Sequence, residues 1–180
     1  MNDKQKLIEA QIKAEEEIET MQLGGIKQKI WEFLVTEKKF NPEEIETDPQ
    51  FKLTLGKCEA KVGIDFIINL PSAVFMVIQC SSSSIEAWER YVTSFAKVAK
   101  DYQIPYAVVT DGEKARIIDV LTGNLIGESL DQISNREEAL NKMKDFNRIP
   151  CPANRLEKEK RIVYAFEGIK CPSAKDSTTD

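Results

Sequence analysis

Apolar residues recur at two different periods along this chain, and each change of period marks a change of element. In residues 3–20, Leu7, Ile8, Ile12 and Ile18 are scattered among charges. That pattern predicts a helix with a thin apolar stripe, one that needs a partner helix or a second copy of the chain to bury it. Gly24-Gly25 is expected to interrupt it. A second helix is predicted over residues 26–38, with Ile26, Ile30, Phe33 and Leu34 on one face. Asn41-Pro42-Glu43-Glu44 then reads as a turn or a new helix start, with Asn as the cap and Pro in first position.

Period two takes over next. Residues 51–55 alternate Phe, Leu, Leu with Lys and Thr, as a half-buried strand does. Residues 62–68 predict a nearly all-apolar strand containing Asp65. Leu70-Pro71-Ser72 turns the chain into residues 73–80 (AVFMVIQC), a run apolar on both faces that belongs in the middle of a covered sheet. Residues 81–84 are four serines, expected to cap a helix through Ser83 or Ser84. In that helix Ile85, Trp88, Val92, Phe95, Ala99 and Tyr102 share one face. Pro105 ends it. Residues 106–109 (YAVV) predict a buried strand, Asp111-Gly112 a turn into a strand over 115–120, and Thr122-Gly123-Asn124 another turn. Two helices close the chain, over 135–146 and 155–168. A helix between two buried strands implies a crossover, so the expected class is α/β (α+β) with a central mixed sheet flanked by helices. Trp31 and Trp88 fall on helix faces and are expected in the core.

Composition narrows the chemistry. With 42% hydrophobic residues in 180 the chain can bury a real core. No run approaches the apolar length of a membrane span, and the N-terminus is charged from the start, so the cytoplasm is the expected address. Cys58, Cys80, Cys151 and Cys171 lie far apart and are expected as reduced thiols rather than zinc ligands. There is no histidine, which removes Ser-His and Cys-His catalysis and the commonest general base. No phosphate-cradling G-x4-G-K-[ST] occurs, so no ATP is expected.

The net charge is −5, which argues mildly against indiscriminate nucleic-acid binding. Acids dominate residues 1–22 and bases dominate residues 148–175. Arg155, Lys158 and Arg161 in the latter are candidate DNA contacts, with a solvated helix face braced by i,i+4 pairs as the blander reading. Four divisions follow: an N-terminal helical arm (1–22), a core (23–147), a basic C-terminal helix (148–172) and a tail (173–180) without apolar anchors.

One ionisable residue is out of place. A carboxylate inside the strand VGIDFII is costly unless it has a partner or a job. If the hairpin turns around Pro71, Asp65 comes beside Gln79 where the serine loop begins, and carboxylate and backbone oxygens there could hold a hard cation. At these residues the chain resembles the N-terminal domain of type I restriction enzyme R subunits, which has the PD-(D/E)XK restriction-endonuclease-like fold. The likeness rests on KIWEFLVTEKKFNPEEIE, on GIDFII followed by FMVIQCS, and on YQIPYAVVTDGEKARIIDVLTGNLIGE, in that order.

The resemblance implies a site in which an Asp and a Glu bind Mg²⁺ and a Lys helps activate water for phosphodiester cleavage. Asp65 matches the metal-binding Asp. Gln79 stands in place of the Glu and Ser81 in place of the Lys. The first helix lacks the expected Glu near Leu23-Gly24-Gly25-Ile26, and a Gln-x3-Tyr motif survives only as Tyr91, with Ala87 four residues before it. Gln neutralises no cation charge and Ser brings no positive charge to a phosphorane, so a degenerate catalytic site with no cofactor, or weakly held Mg²⁺, is expected. Lys61 or Lys97 could supply a migrated lysine. The implied activity is a module without efficient catalysis that binds DNA or a protein, with a divergent Mg²⁺-dependent deoxyribonuclease and a structural or regulatory protein as alternatives. Homodimerisation through the N-terminal helix is a further expected contact.

Overall fold

The computed structural model describes residues 3–169. The tail beyond, with Lys170, Cys171 and Lys175, lies outside the described residues. Six strands form one mixed sheet in the order β1-β4-β5-β6-β7-β8: β1 Ile45–Thr47, β4 Phe66–Asn69, β5 Val74–Cys80, β6 Tyr106–Thr110, β7 Lys114–Asp119 and β8 Asn124–Ser129. The remaining strands, β2 Gln50–Leu55 and β3 Cys58–Gly63, pair only with each other. Within the large sheet β5 and β6 are parallel and every other pair is antiparallel.

The parallel pair is the crossover that the alternation of buried runs predicts. Two parallel neighbours cannot be joined by a tight turn, and here helix α2 (Glu89–Val98) bridges them. Strand β5 is buried at every position from Val74 to Ile78, which demands cover on both faces. Both α2 and α1 (Asp3–Thr36) contact it. Phe95 and Val92 of α2 and Ile30 and Leu34 of α1 are fully buried. Helix α4 (Ala153–Phe166) packs on α2 and β2, while α3 (Arg136–Met143) buries Ala139 and Met143. Arg136 ties α3 to the short 3-10 turn Pro42–Glu44 through three hydrogen bonds from its guanidinium to Glu44, at 2.8–3.0 Å.

Several expectations need correction. Gly24-Gly25 does not interrupt the first helix, because α1 runs unbroken from Asp3 to Thr36. A glycine costs a helix only about 1 kcal/mol relative to alanine, and good helix formers on both sides absorb that. Residues 4–22 are exposed throughout and dock on no C-terminal helix. Leu7, Ile8, Ile12, Ile18 and Met21 on that stretch are all exposed. The strand expected over residues 62–68 is two strands in two sheets, since the chain leaves β3 after Gly63 and enters β4 at Phe66.

Smaller corrections follow the same logic. Strand β1 was not predicted; three residues carry too little pattern. The serines do not cap α2. The 3-10 turn Glu86–Trp88 precedes that helix with Ile85 as cap and no side-chain cap bond, and the Ser84 hydroxyl donates to Glu86 instead. Trp31 and Trp88 are half-buried and pack against the core rather than within it. Cys80 is a buried free thiol and Cys151 a half-buried one, but Cys58 is disulfide-bonded. Among the described residues no helix is long and apolar enough to cross a membrane.

Candidate functional site

Asp65 sits where the chain changes sheets. Phe66 pairs with Ile78 at the end of the β4–β5 ladder, so one step further out Asp65 faces Gln79. The backbone there has left one ladder and not yet joined the next, which gives the carboxylate room to turn inward. Its Oδ2 accepts the Cys80 N–H at 2.6 Å, and its own carbonyl accepts the Asp48 N–H at 2.9 Å. Asp48 has a left-handed φ of 52°, a conformation that aspartate tolerates better than most residues.

The second oxygen of Asp65 meets a cation. Lys27, on α1, places its Nζ 3.3 Å from Asp65 Oδ1 and in hydrogen-bond contact with Asp48. Asp48 and Asp65, but not Lys27, line a pocket of about 260 Å³ together with Gln50, Gln79, Trp88, Tyr91, Phe166 and Glu167, among others. Tyr91 is buried, and its hydroxyl lies 2.5 Å from both the Gly63 carbonyl and Glu167 Oε1. The rings of Trp88, Tyr91 and Phe166 pack edge-on or tilted against one another with centroids 5.5–5.7 Å apart, forming the apolar wall.

The electrostatics follow from burial. Desolvation pushes the Asp65 carboxyl above its ordinary value, outweighing the Cys80 N–H and the Lys27 charge that favour ionisation. Desolvation works to lower the Lys27 ammonium as well. There the hydrogen bond that Lys27 donates to Asp48 and the field of Asp65 prevail, and the net shift is upward. The Cys80 thiol is pushed far up by burial and by the adjacent Asp65 charge. Tyr91 moves up through burial and the Glu167 carboxylate. Both shifts favour the neutral thiol and the neutral phenol.

The predicted site residues divide. Asp65 and Gln79 come together as the hairpin implied. The Gln79 amide donates to the Cys80 carbonyl at 3.1 Å. Ser81 is buried but turned into its own loop, where its hydroxyl accepts the Ser83 N–H at 3.1 Å. Lys61 is exposed on β3, in register with Lys52. Lys97 is bound to Glu159 at 3.3 Å on the other side of α2. Neither is the ammonium at Asp65.

Of the DNA candidates, Arg161 pairs with Glu157 at 2.5 Å, an i,i+4 bridge of the expected kind, and Arg155 reaches Glu159 at 3.8 Å. Lys158 is exposed. The end of α4 that reaches the Asp65 pocket carries the acidic Glu167 instead. Lys27, Asp48 and Glu167 were missed by sequence reasoning. Lys27 alone left a signal, a lysine flanked by Leu23, Ile26 and Ile30 on the stripe that α1 turns inward.

A divalent-cation site of the kind the resemblance implies fits these residues poorly. Mg²⁺ asks for near-octahedral oxygen ligands and for negative charge to offset its own. Here one Asp65 oxygen is taken by a backbone N–H, the other faces an ammonium, and position 79 brings no charge. Among the described residues no group of three or more His, Cys, Asp or Glu is placed to hold a metal ion.

Comparison with known proteins adds one finding. The family model described as Type I restriction enzyme R protein N terminus matches residues 25–134, which include Lys27, Asp48, Asp65 and Gln79. No curated protein and no solved structure matches the chain.

Proposed function

Because the chain belongs to the Type I restriction enzyme R protein N-terminus family over residues 25–134, we propose that it is a PD-(D/E)XK-like module whose nuclease centre is catalytically silent and which serves to bind DNA. The observation that carries this reading is the pairing of Asp65 with Gln79 and Lys27 where the family chemistry needs two carboxylates and a metal. Phosphodiester hydrolysis of this class depends on a cation that stabilises the attacking and leaving oxygens. Losing a carboxylate ligand and the lysine at position 81 removes both the ion's anchorage and the positive charge at the phosphorane.

The test is direct. Purified protein with Mg²⁺ or Mn²⁺ is expected to leave linear and supercoiled DNA intact, while shifting a labelled duplex in a low-salt gel assay. DNA affinity should fall as salt rises, because the contacts are ionic. Cleavage that disappears in Asp65→Ala would establish the divergent nuclease instead.

A second reading, binding of a protein or of another copy of the chain through the N-terminal arm, is favoured by one observation. Leu7, Ile8, Ile12, Ile18 and Met21 are all exposed on the first half of α1. Deleting residues 1–22 should then reduce the number of protomers per particle measured by light scattering. An unchanged protomer number would count against self-association.

A further inference from the structure

The position that a metal ion would need beside Asp65 is approached by a side chain of the protein itself. The Lys27 Nζ lies 3.3 Å from Asp65 Oδ1 and contacts Asp48. We propose that the Lys27 ammonium is the resident cation of this site: a tethered positive charge that stands in for a divalent ion, keeps the Asp48–Asp65 pair assembled and shuts metal out. This inference rests on the reading of the site as a silent nuclease centre.

Three features argue for it. The first is placement. Lys27 is one turn before the fully buried Ile30 on α1, so core packing of that helix, not chance sampling by a surface lysine, delivers the ammonium. Its side chain is 21% exposed and that of Asp65 11%, so the pair is substantially withdrawn from water.

The second is charge balance. Of the carboxylates in contact with Lys27, Asp48 and Asp65 bring two negative charges and Lys27 cancels one, leaving a single net charge at that contact, with Glu167 a further carboxylate on the pocket wall. A glutamate at position 79 with no Lys27 would leave three among positions 48, 65 and 79. A unit charge at contact distance is a large term away from bulk solvent, so the ammonium opposes any cation approaching the same carboxylates.

The third is the fit of donors to acceptors. An ammonium carries three N–H donors and suits two carboxylates from different segments. The Gln79 amide turns to the Cys80 carbonyl and completes no ligand set. A site held this way is formed in the absence of metal. The pocket walled by Trp88, Tyr91 and Phe166 then does not depend on divalent-ion concentration for its shape.

The experiment uses the full chain and measures Mn²⁺ binding by the loss of the free-ion EPR signal, with no DNA present. Four proteins are compared: wild type, Lys27→Met, Gln79→Glu and the double variant. Wild type should show no saturable binding, and the double variant should bind at least roughly tenfold tighter than Gln79→Glu alone. Equal affinity in Gln79→Glu and the double variant would overturn the proposal, since the ammonium would then be no obstacle to the ion.

A second measurement covers the case in which Lys27→Met folds poorly. Thermal midpoints are taken for Lys27→Met, Asp65→Asn and the two combined. Removing the cation should cost much less when Asp65 is already neutral, and additive midpoints would also overturn the proposal. The two claims fail separately. Wild-type cleavage of DNA defeats the silent-centre reading, whereas a silent wild type with no gain of Mn²⁺ binding on removal of Lys27 defeats only the tethered cation.

Discussion

Two buried carboxylates lie on either side of α2, each with a lysine at 3.3 Å, and they are held in opposite ways. Glu159 on α4 is fully buried, yet it is surrounded: Lys97 at 3.3 Å, Arg90 at 3.4 Å, Arg155 at 3.8 Å and the Ser94 hydroxyl at 2.6 Å. Burial pushes its pKa up, but the Ser94 hydrogen bond and the Lys97 and Arg90 charges outweigh that and hold it below its ordinary value. Asp65 has one hydrogen-bond donor and one ammonium, and that ammonium is shared with Asp48. For Asp65 burial wins and the carboxyl rises. The balance between desolvation and the partners that favour the charged form sets the sign. Glu159 therefore reads as a structural clamp that fastens α4 to α2, whereas Asp65 is left under-compensated, as residues at functional sites often are.

The largest expected effect is at the clamp. Glu159→Ala leaves Lys97 buried beside two arginines without a counter-charge, and breaking a buried pair by removing one partner costs about 3–5 kcal/mol. Urea denaturation should show that loss. A loss no larger than that of a surface pair would erase the contrast between the two sites.

Acid titration comes next. A carboxyl held low in the fold supplies stability above its ordinary pKa, 4.5 for Glu159, and loses it as pH falls through the folded value. Glu44, held low by Arg136 against the upward push of burial, adds in the same sense. Asp65 has the opposite sign. Its contribution is present below the ordinary 3.8 and is lost as pH rises through its raised folded value. The melting temperature should fall as pH drops below about 4.5, less steeply in Glu159→Gln and no less steeply in Asp65→Asn. A shallower acid limb in Asp65→Asn would show that Asp65 too is held low.

Asp65→Asn itself is expected to change stability at neutral pH by about 1 kcal/mol or less. It removes a charge that burial already disfavours and keeps an acceptor for the Cys80 N–H. A loss approaching that of Glu159→Ala would place Asp65 among the structural clamps. The smallest effect sets the floor: Arg161→Ala breaks the exposed Arg161–Glu157 bridge and should cost about 0.3–0.5 kcal/mol in thermal denaturation. A larger loss would mean that α4 depends on its solvent face as well as on the clamp.

How much of this was legible depended on whether the interaction was local. The alternation in residues 51–55, the all-apolar β5 and the 3.6-period face of α2 each carry their own signal, because the backbone period alone decides which side chains share a face. Hence the mixed sheet and its parallel crossover could be read in advance. Asp65 was conspicuous for a related reason, a charge within an apolar run. Gln79 could be placed beside it, because a hairpin turning at Pro71 sets the register. By contrast the end of β3 and the start of β4 run together in the sequence, and only the pairing partners, Gln50 for Gly63 and Ile78 for Phe66, show that the chain passes from one sheet to another.

By itself, then, the sequence determined the class of fold, the family and the hairpin that sets Asp65 against Gln79. Tertiary structure decided which cation meets that carboxylate. Lys27 is 38 positions from Asp65 and Glu167 is 102 positions beyond it, separations at which no periodicity carries information. The choice among Lys27, Lys61 and Lys97 was made by how α1 and α2 pack on β5 and by the face on which β3 displays its side chains. Lys61 and Lys97 looked equally available along the chain. One was turned to solvent by strand alternation and the other was captured by Glu159, which offered full burial and several partners where Asp65 offered one.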